Sequence, residues 1–240
     1  MPEIIVHPSG DAVAEAIALR LATRLAELQA AGTASPQVSL TGGRIALKAY
    51  QHLVTLSDRA DVDWTAVDWW WSDERFVPAG DDDRNNTTTI AAIQAALPVP
   101  DERLHPMPTA DAGLDLDAAA AAYATELGGR SFDITLLGVG PDGHVASIFP
   151  GHPSLDGTGE VIAVRDSPKP PPDRISVTVA ALNRSREVWF TVSGAEKADA
   201  VKSALMGGPV PAARVTGVER TLWLLDEDAA SELPETLTAP

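Results

Sequence analysis

The sequence predicts an α/β fold: a mostly parallel, Rossmann-like sheet with helices on both faces. Three observations carry that prediction. Short apolar runs alternate along the chain with segments of helical period. Several of the runs, such as FDITLLGVG, end in glycine as buried strands do. The 240 residues, 45% of them hydrophobic, suit one α/β domain with a real core.

The elements follow in order. EIIVH (3–7) reads as a strand, and Ser9-Gly10-Asp11 caps an alanine- and leucine-rich helix ending near Gly32. QVSLTGG (37–43) is a strand running into a glycine turn, followed by a helix of about four turns through Leu56. VDWWWSDERF is a strand entering a loop, DDDRNN is polar loop, and TTTIAAIQAAL is helical up to Pro98. A further helix, 116–127, leads to FDITLLGVG. After Pro150 the pattern is strand-rich (VIAV, RISVTVAAL, EVWFTVSG, TLWLL), with one helix over 196–205. The proline-rich SPKPPPDR (167–174) is a rigid connector. Too few residues follow it for a second core, so it reads as a surface loop in a single domain spanning 1–240.

Composition narrows the function. There are no cysteines, which excludes disulfides, thiolate metal sites and cysteine nucleophiles. The N-terminus has neither a basic region nor a long apolar run, and no stretch is long enough to span a bilayer; a cytoplasmic location is expected. A net charge of −16 argues against nucleic-acid and anionic-membrane partners. A small anionic substrate remains compatible, provided its pocket gathers some of the few arginines and lysines.

In open α/β sheets ligands sit beyond the carboxyl ends of the strands. Four segments fall there: TGGR, SDER, GVGPDGH and SGAEK. Gly138, Gly140 and Gly143 match the G-x-G-x-x-G spacing of a dinucleotide turn, but Pro150 stops any helix soon after, and Asp142 would face the pyrophosphate. The alternative is a tight glycine turn that delivers Asp142 and His144 to a ligand, the histidine moving protons near neutral pH. A plain hydrogen-bonded loop histidine is the competing reading. A metal held by Asp142, His144 and His152 lacks a convincing ligand spacing, and no G-x-S-x-G elbow is present. Arg75 is suited to a phosphate or an oxyanion, and Asp73 to orienting the histidine or a water; a surface ion pair is the alternative. TGGR offers helix N-terminal N–H groups and the charge of Arg44. SGAEK places Ser193 and Glu196 at capping-box spacing, with Lys197 in a first turn that favours a bound anion. The three tryptophans read as core.

Taken together, TGG at 41–43, SDERFVP followed by Asn85, GVGPDGHVASIFPGHP, RISVT and SGAEK resemble the 6-phosphogluconolactonase family over nearly the whole chain. The resemblance implies the fold shared with glucosamine-6-phosphate deaminases and ribose-5-phosphate isomerases. It implies hydrolysis of 6-phosphoglucono-δ-lactone to 6-phosphogluconate in the oxidative pentose phosphate pathway, without metal or organic cofactor. Carried over by position, His144 is the catalytic histidine, supported by Asp142 or Asp73, with Arg75 beside it. Gly42, Gly43, Arg44, Asn85, Gly143 and Lys197 are expected to bind substrate and its phosphate. A monomer or weak homo-oligomer is expected. The turn departs from the family in having Arg44, Ile45 and Ala46 where small hydroxyl residues and a proline are usual. Two rivals share the fold: an amino-sugar phosphate deaminase, whose segment continues to an asparagine–glutamate pair instead of Ser147-Ile148, and a non-catalytic sugar-phosphate sensor.

Overall fold

A computed structural model describes residues 2–57 and 61–238. Six strands form one parallel sheet: β1 (Glu3–His7), β2 (Gln37–Leu40), β3 (Asp68–Trp71), β5 (Ile134–Leu137), β8 (Glu187–Val192) and β9 (Arg220–Asp226), in the order β1-β9-β8-β5-β2-β3. A second, antiparallel sheet joins β4 (Asp73–Arg75), β7 (Arg174–Val177) and β6 (Val161–Val164) in the order β4-β7-β6.

Period-two alternation sends each strand's side chains to two cores. Trp69 and Trp71 pack with α1 (Gly10–Ala30), α2 (Arg44–His52) and α3 (Asn85–Ala96); Trp70 packs on the other face with α4 (Leu116–Leu127). All three tryptophans are buried, as core residues should be. The face with Trp70 also carries α6 (Ala198–Leu205), so helices cover both sides of the parallel sheet. The Ser9 side chain caps α1 by accepting from the Ala12 N–H at 3.2 Å.

Among the differences from the expectation are three elements. The helix after TGG is shorter: α2 ends at His52 and a 3₁₀ turn, Leu53–Leu56, completes the span. RISVTVAAL is a strand only through Val177, because the Thr178 hydroxyl then caps a short helix, α5 (Val179–Leu182). SDER is not a loop. Ser72 donates its N–H to the Leu40 carbonyl in the parallel sheet (3.1 Å), and its carbonyl accepts from the Val177 N–H (2.8 Å). One residue thus passes the chain from β3 into the second sheet as β4.

Candidate active site

The carboxyl ends of β2, β5 and β8 lie side by side, and β4 and β7 close the space from the second sheet. Between them is a cleft of about 230 Å³, bordered by Gly42, Gly43, Asp73, Arg75, Asn85, His144 and Lys197. It continues into a recess of about 180 Å³ at the start of α2, where Arg44 and Glu196 are added. The four segments TGGR, SDER, GVGPDGH and SGAEK therefore meet.

The histidine turn is built by its glycines. The Gly143 N–H donates to the Gly140 carbonyl, and the Gly140 N–H to the His144 carbonyl, both at 2.9 Å. A Cβ on Gly140 would sit 1.9 Å from the His144 Nδ1. Only glycine lets the imidazole fold over the turn. No helix follows, which disposes of the dinucleotide geometry; Val145 bridges to Ile148 instead. Gly143 has a φ of +81° and packs against Val210; it shapes the turn and does not border the cleft.

His144 Nδ1 lies 2.5 Å from Asp142 Oδ1. The Asp142 carboxyl is held below its ordinary value: burial pushes it up, but the His144 hydrogen bond, the imidazole and Lys169 outweigh that. An ionised carboxylate only accepts, so Nδ1 carries the proton and Nε2 keeps its lone pair. The His144 pKa is itself lowered. Burial is the main cause, with the nearby Lys169 charge adding to it against the opposing pull of Asp142 and Asp73. A neutral imidazole with a free Nε2 results.

Asp73 does not bond the histidine. Its Oδ2 accepts from the buried Ser147 hydroxyl at 2.6 Å, tying β4 to the histidine loop. Glu74 is fully buried and structural: it accepts from the N–H groups of Arg75 (2.8 Å), Asn85 (3.0 Å) and Asn86 (2.6 Å), closing the start of α3. Burial raises its pKa above the usual carboxylate value. Arg75 donates to the Asp83 carbonyl and has a buried Nε without a partner. Asn85 packs its carboxamide over Gly42, where a Cβ would come within 2.4 Å.

At the far end, Gly43 (φ +100°) precedes Arg44, the first residue of α2, so the opening N–H groups of that helix face the recess without intrahelical acceptors. Lys197 joins them. Its pKa is lowered by burial first, with Lys169 and Arg44 adding to the effect. The expected capping box does not form: Gly194 stands at the N-cap without a side-chain cap, and the Ser193 hydroxyl donates to Asp226 (2.5 Å). His152 is occupied by Ser154 (2.9 Å) and the Arg165 carbonyl (2.9 Å). Among the described residues no three acidic or histidine side chains are grouped to hold a metal ion.

Sequence reasoning missed Lys169 and Arg174, which also border the cleft. Both lie in the proline-rich segment 167–174 that the sequence reads as a surface connector. The scarcity of cations in a chain of −16 was the available signal.

Residues 8–223 match the family described as glucosamine-6-phosphate isomerases/6-phosphogluconolactonase. A 6-phosphogluconolactonase of Streptomyces coelicolor is 46% identical over 256 aligned positions, covering 100% of this chain and 97% of that protein. The Mycobacterium tuberculosis 6-phosphogluconolactonase is 42% identical, covering 96% of this chain and 98% of the relative. Among solved structures, the 6-phosphogluconolactonase of Thermotoga maritima superposes with a TM-score of 0.83 at 28% identity, covering 94% of this chain and 100% of that one. A monomeric glucosamine-6-phosphate deaminase has a TM-score of 0.81 at 20% identity, covering 96% and 99%, a likeness of fold. The cleft, its histidine turn and full-length relatives at this level of identity lead to one assignment: the chain belongs to the glucosamine-6-phosphate isomerase/6-phosphogluconolactonase family, on the side of the 6-phosphogluconolactonases.

Proposed function

We infer that the chain hydrolyses 6-phosphoglucono-1,5-lactone to 6-phosphogluconate, with His144 as general base and then general acid. The observation that carries the reading is the Asp142–His144 contact of 2.5 Å beside a cleft whose lining includes Arg75, Lys169, Arg174 and Lys197. The lactone is already a reactive ester, so a positioned water suffices as nucleophile. Nε2 of His144 takes a proton from that water as its oxygen bonds to C1, and the Nδ1–H bond to Asp142 stabilises the imidazolium. The electron pair of the carbonyl moves to its oxygen, whose charge Arg75 meets. Collapse of the tetrahedral intermediate breaks the bond from C1 to the ring oxygen, which receives the proton from His144. No atom or electron is left over.

The phosphate lies at the other end, on the N–H groups of Gly43 and Arg44 and on the Lys197 ammonium. Arg44 supplies the charge that small hydroxyl residues would otherwise replace with hydrogen bonds. Asn85, packed over Gly42, borders the sugar. Binding the phosphate there fixes the lactone carbon near the water. The reading treats residues 1–240 as one domain working in the cytoplasm. Its test is a hydrolysis assay on freshly generated lactone, corrected for the spontaneous reaction. Turnover of the phosphorylated lactone far above that of the unphosphorylated one supports it. Equal turnover of both would remove the phosphate cradle, and no turnover of either would remove the reading.

A further inference from the structure

We propose that the proline-rich strap 167–173 is a working part of the cleft: Arg174 grips the strap's carbonyls and thereby holds the Lys169 ammonium against the Asp142–His144 pair. Lys169 and Arg174 then act as positioning residues. This rests on the reading of His144 as the proton-transfer group.

The grip is geometric. Arg174 is only 6% exposed, and its guanidinium donates to the carbonyls of Lys169 (3.0 Å), Pro170 (2.9 Å) and Pro171 (3.2 Å). Its cation lies 5.8 Å from the centre of the Phe149 ring, and Phe149 in turn packs 4.8 Å from the His144 ring. The strap closes on itself through the Ser167 N–H and the Pro172 carbonyl (3.0 Å), and it is anchored to β4's end by the Phe76 N–H and the Asp173 carbonyl (2.9 Å). A buried guanidinium saturating three consecutive carbonyls fixes a backbone that prolines, lacking N–H groups, cannot fix by their own hydrogen bonds.

The strap delivers one charge. Lys169 Nζ lies 3.4 Å from Asp142 Oδ1 and 3.2 Å from His144 Nδ1. Against the carboxylate it is an ion pair; against the imidazolium it is a like charge. The other charged groups facing the pair are Asp142 itself, Asp73 from β4, and Arg75, Arg174 and Lys197 along the cleft. Lys169 is the cation in direct contact. It opposes the accumulation of protonated histidine before substrate arrives, so that the base is ready at lower pH. When the imidazolium forms in the reaction, the same repulsion favours return of its proton to the leaving ring oxygen.

The test follows the His144 imidazole by NMR titration in the ligand-free protein, its resonance identified by its loss in His144→Gln. Lys169→Met is expected to move that titration to higher pH, with Lys169→Arg restoring it, and the acid limb of kcat/KM is expected to move with it. Arg174→Met is expected to move it in the same direction, and the double variant no further than Lys169→Met alone, because both act through one ammonium. An unmoved titration in folded Lys169→Met overturns the proposal. Additive shifts in the double variant overturn the part given to Arg174, which would then act by its own charge. The titration is read without turnover, so a shifted resonance in a protein whose His144→Gln variant keeps full activity would sink the catalytic reading and leave the strap in place.

Discussion

In the proposed function, the chemistry at His144 depends on which nitrogen is free. Asp142 fixes the proton on Nδ1, and burial with Lys169 lowers the imidazole pKa below its usual 6.5. The sign of the pH dependence follows. In the proposed role as base, His144 works unprotonated, so kcat/KM is expected to be full above that lowered value and to fall as pH drops through it. The acid limb is therefore expected below pH 6.5, read from a pH profile corrected for spontaneous hydrolysis; a limb above that value would contradict the burial argument. Lys197 and Arg44 sit at the other end of the cleft. Lys197→Ala or Arg44→Ala is expected to raise KM on the order of tenfold for the phosphorylated lactone, the scale of one lost charge-assisted contact. Neither should change KM for the unphosphorylated lactone, as parallel kinetics on the two substrates would show. That these residues meet at one cleft was legible because each follows a strand. Whether Asp73 or Asp142 supports the histidine was not legible, since both are near it in the fold and only Asp142 is near it in sequence.

Elements decide how well those residues are held. The loop that follows the His144 turn and strand β4 meet at the Ser147–Asp73 hydrogen bond of 2.6 Å, both groups being buried or nearly so. Ser147→Ala leaves the Asp73 oxygen without its donor. The expected cost is about 1–3 kcal/mol of stability, measured by denaturant unfolding, with kcat lowered several-fold. Unchanged stability would mean that water replaces the hydroxyl freely. The alternation of strands and helices, the capped start of α1 and the run of α4 could be read from local pattern alone. Strand β4 could not, because its three residues carry charges and pair only with β7, about a hundred positions later. Nor could the end of RISVT, where a threonine hydroxyl's choice to cap α5 overrides β-branched propensity. Up to Asp173 the segment 167–174 is the surface loop its prolines suggest; what they did not report is that its last residue, Arg174, holds the carbonyls of Lys169, Pro170 and Pro171.

Across the molecule, an acidic protein keeps Arg44, Arg75, Lys169, Arg174 and Lys197 around one opening. The net charge of −16 opposes approach of the proposed sugar phosphate at long range, while these cations favour it at contact distance. Screening over about 10 Å at 0.1 M ionic strength suppresses the distant term first, and higher salt then weakens the cleft itself. KM for the phosphorylated lactone is expected to rise with added salt across the moderate-to-high range. A steady fall would show that long-range repulsion governs capture. The two cores explain why such a site can stay fixed: the parallel sheet is packed on both faces, and its carboxyl edge has little freedom to move.

The central claim, that the Asp142-held imidazole of residue 144 performs the hydrolysis, is tested most directly by comparing His144→Ala with the unmodified chain in the lactone assay under saturating substrate. The account predicts a fall in kcat of about a hundredfold or more with the fold intact by circular dichroism. Turnover near that of the unmodified chain would contradict it.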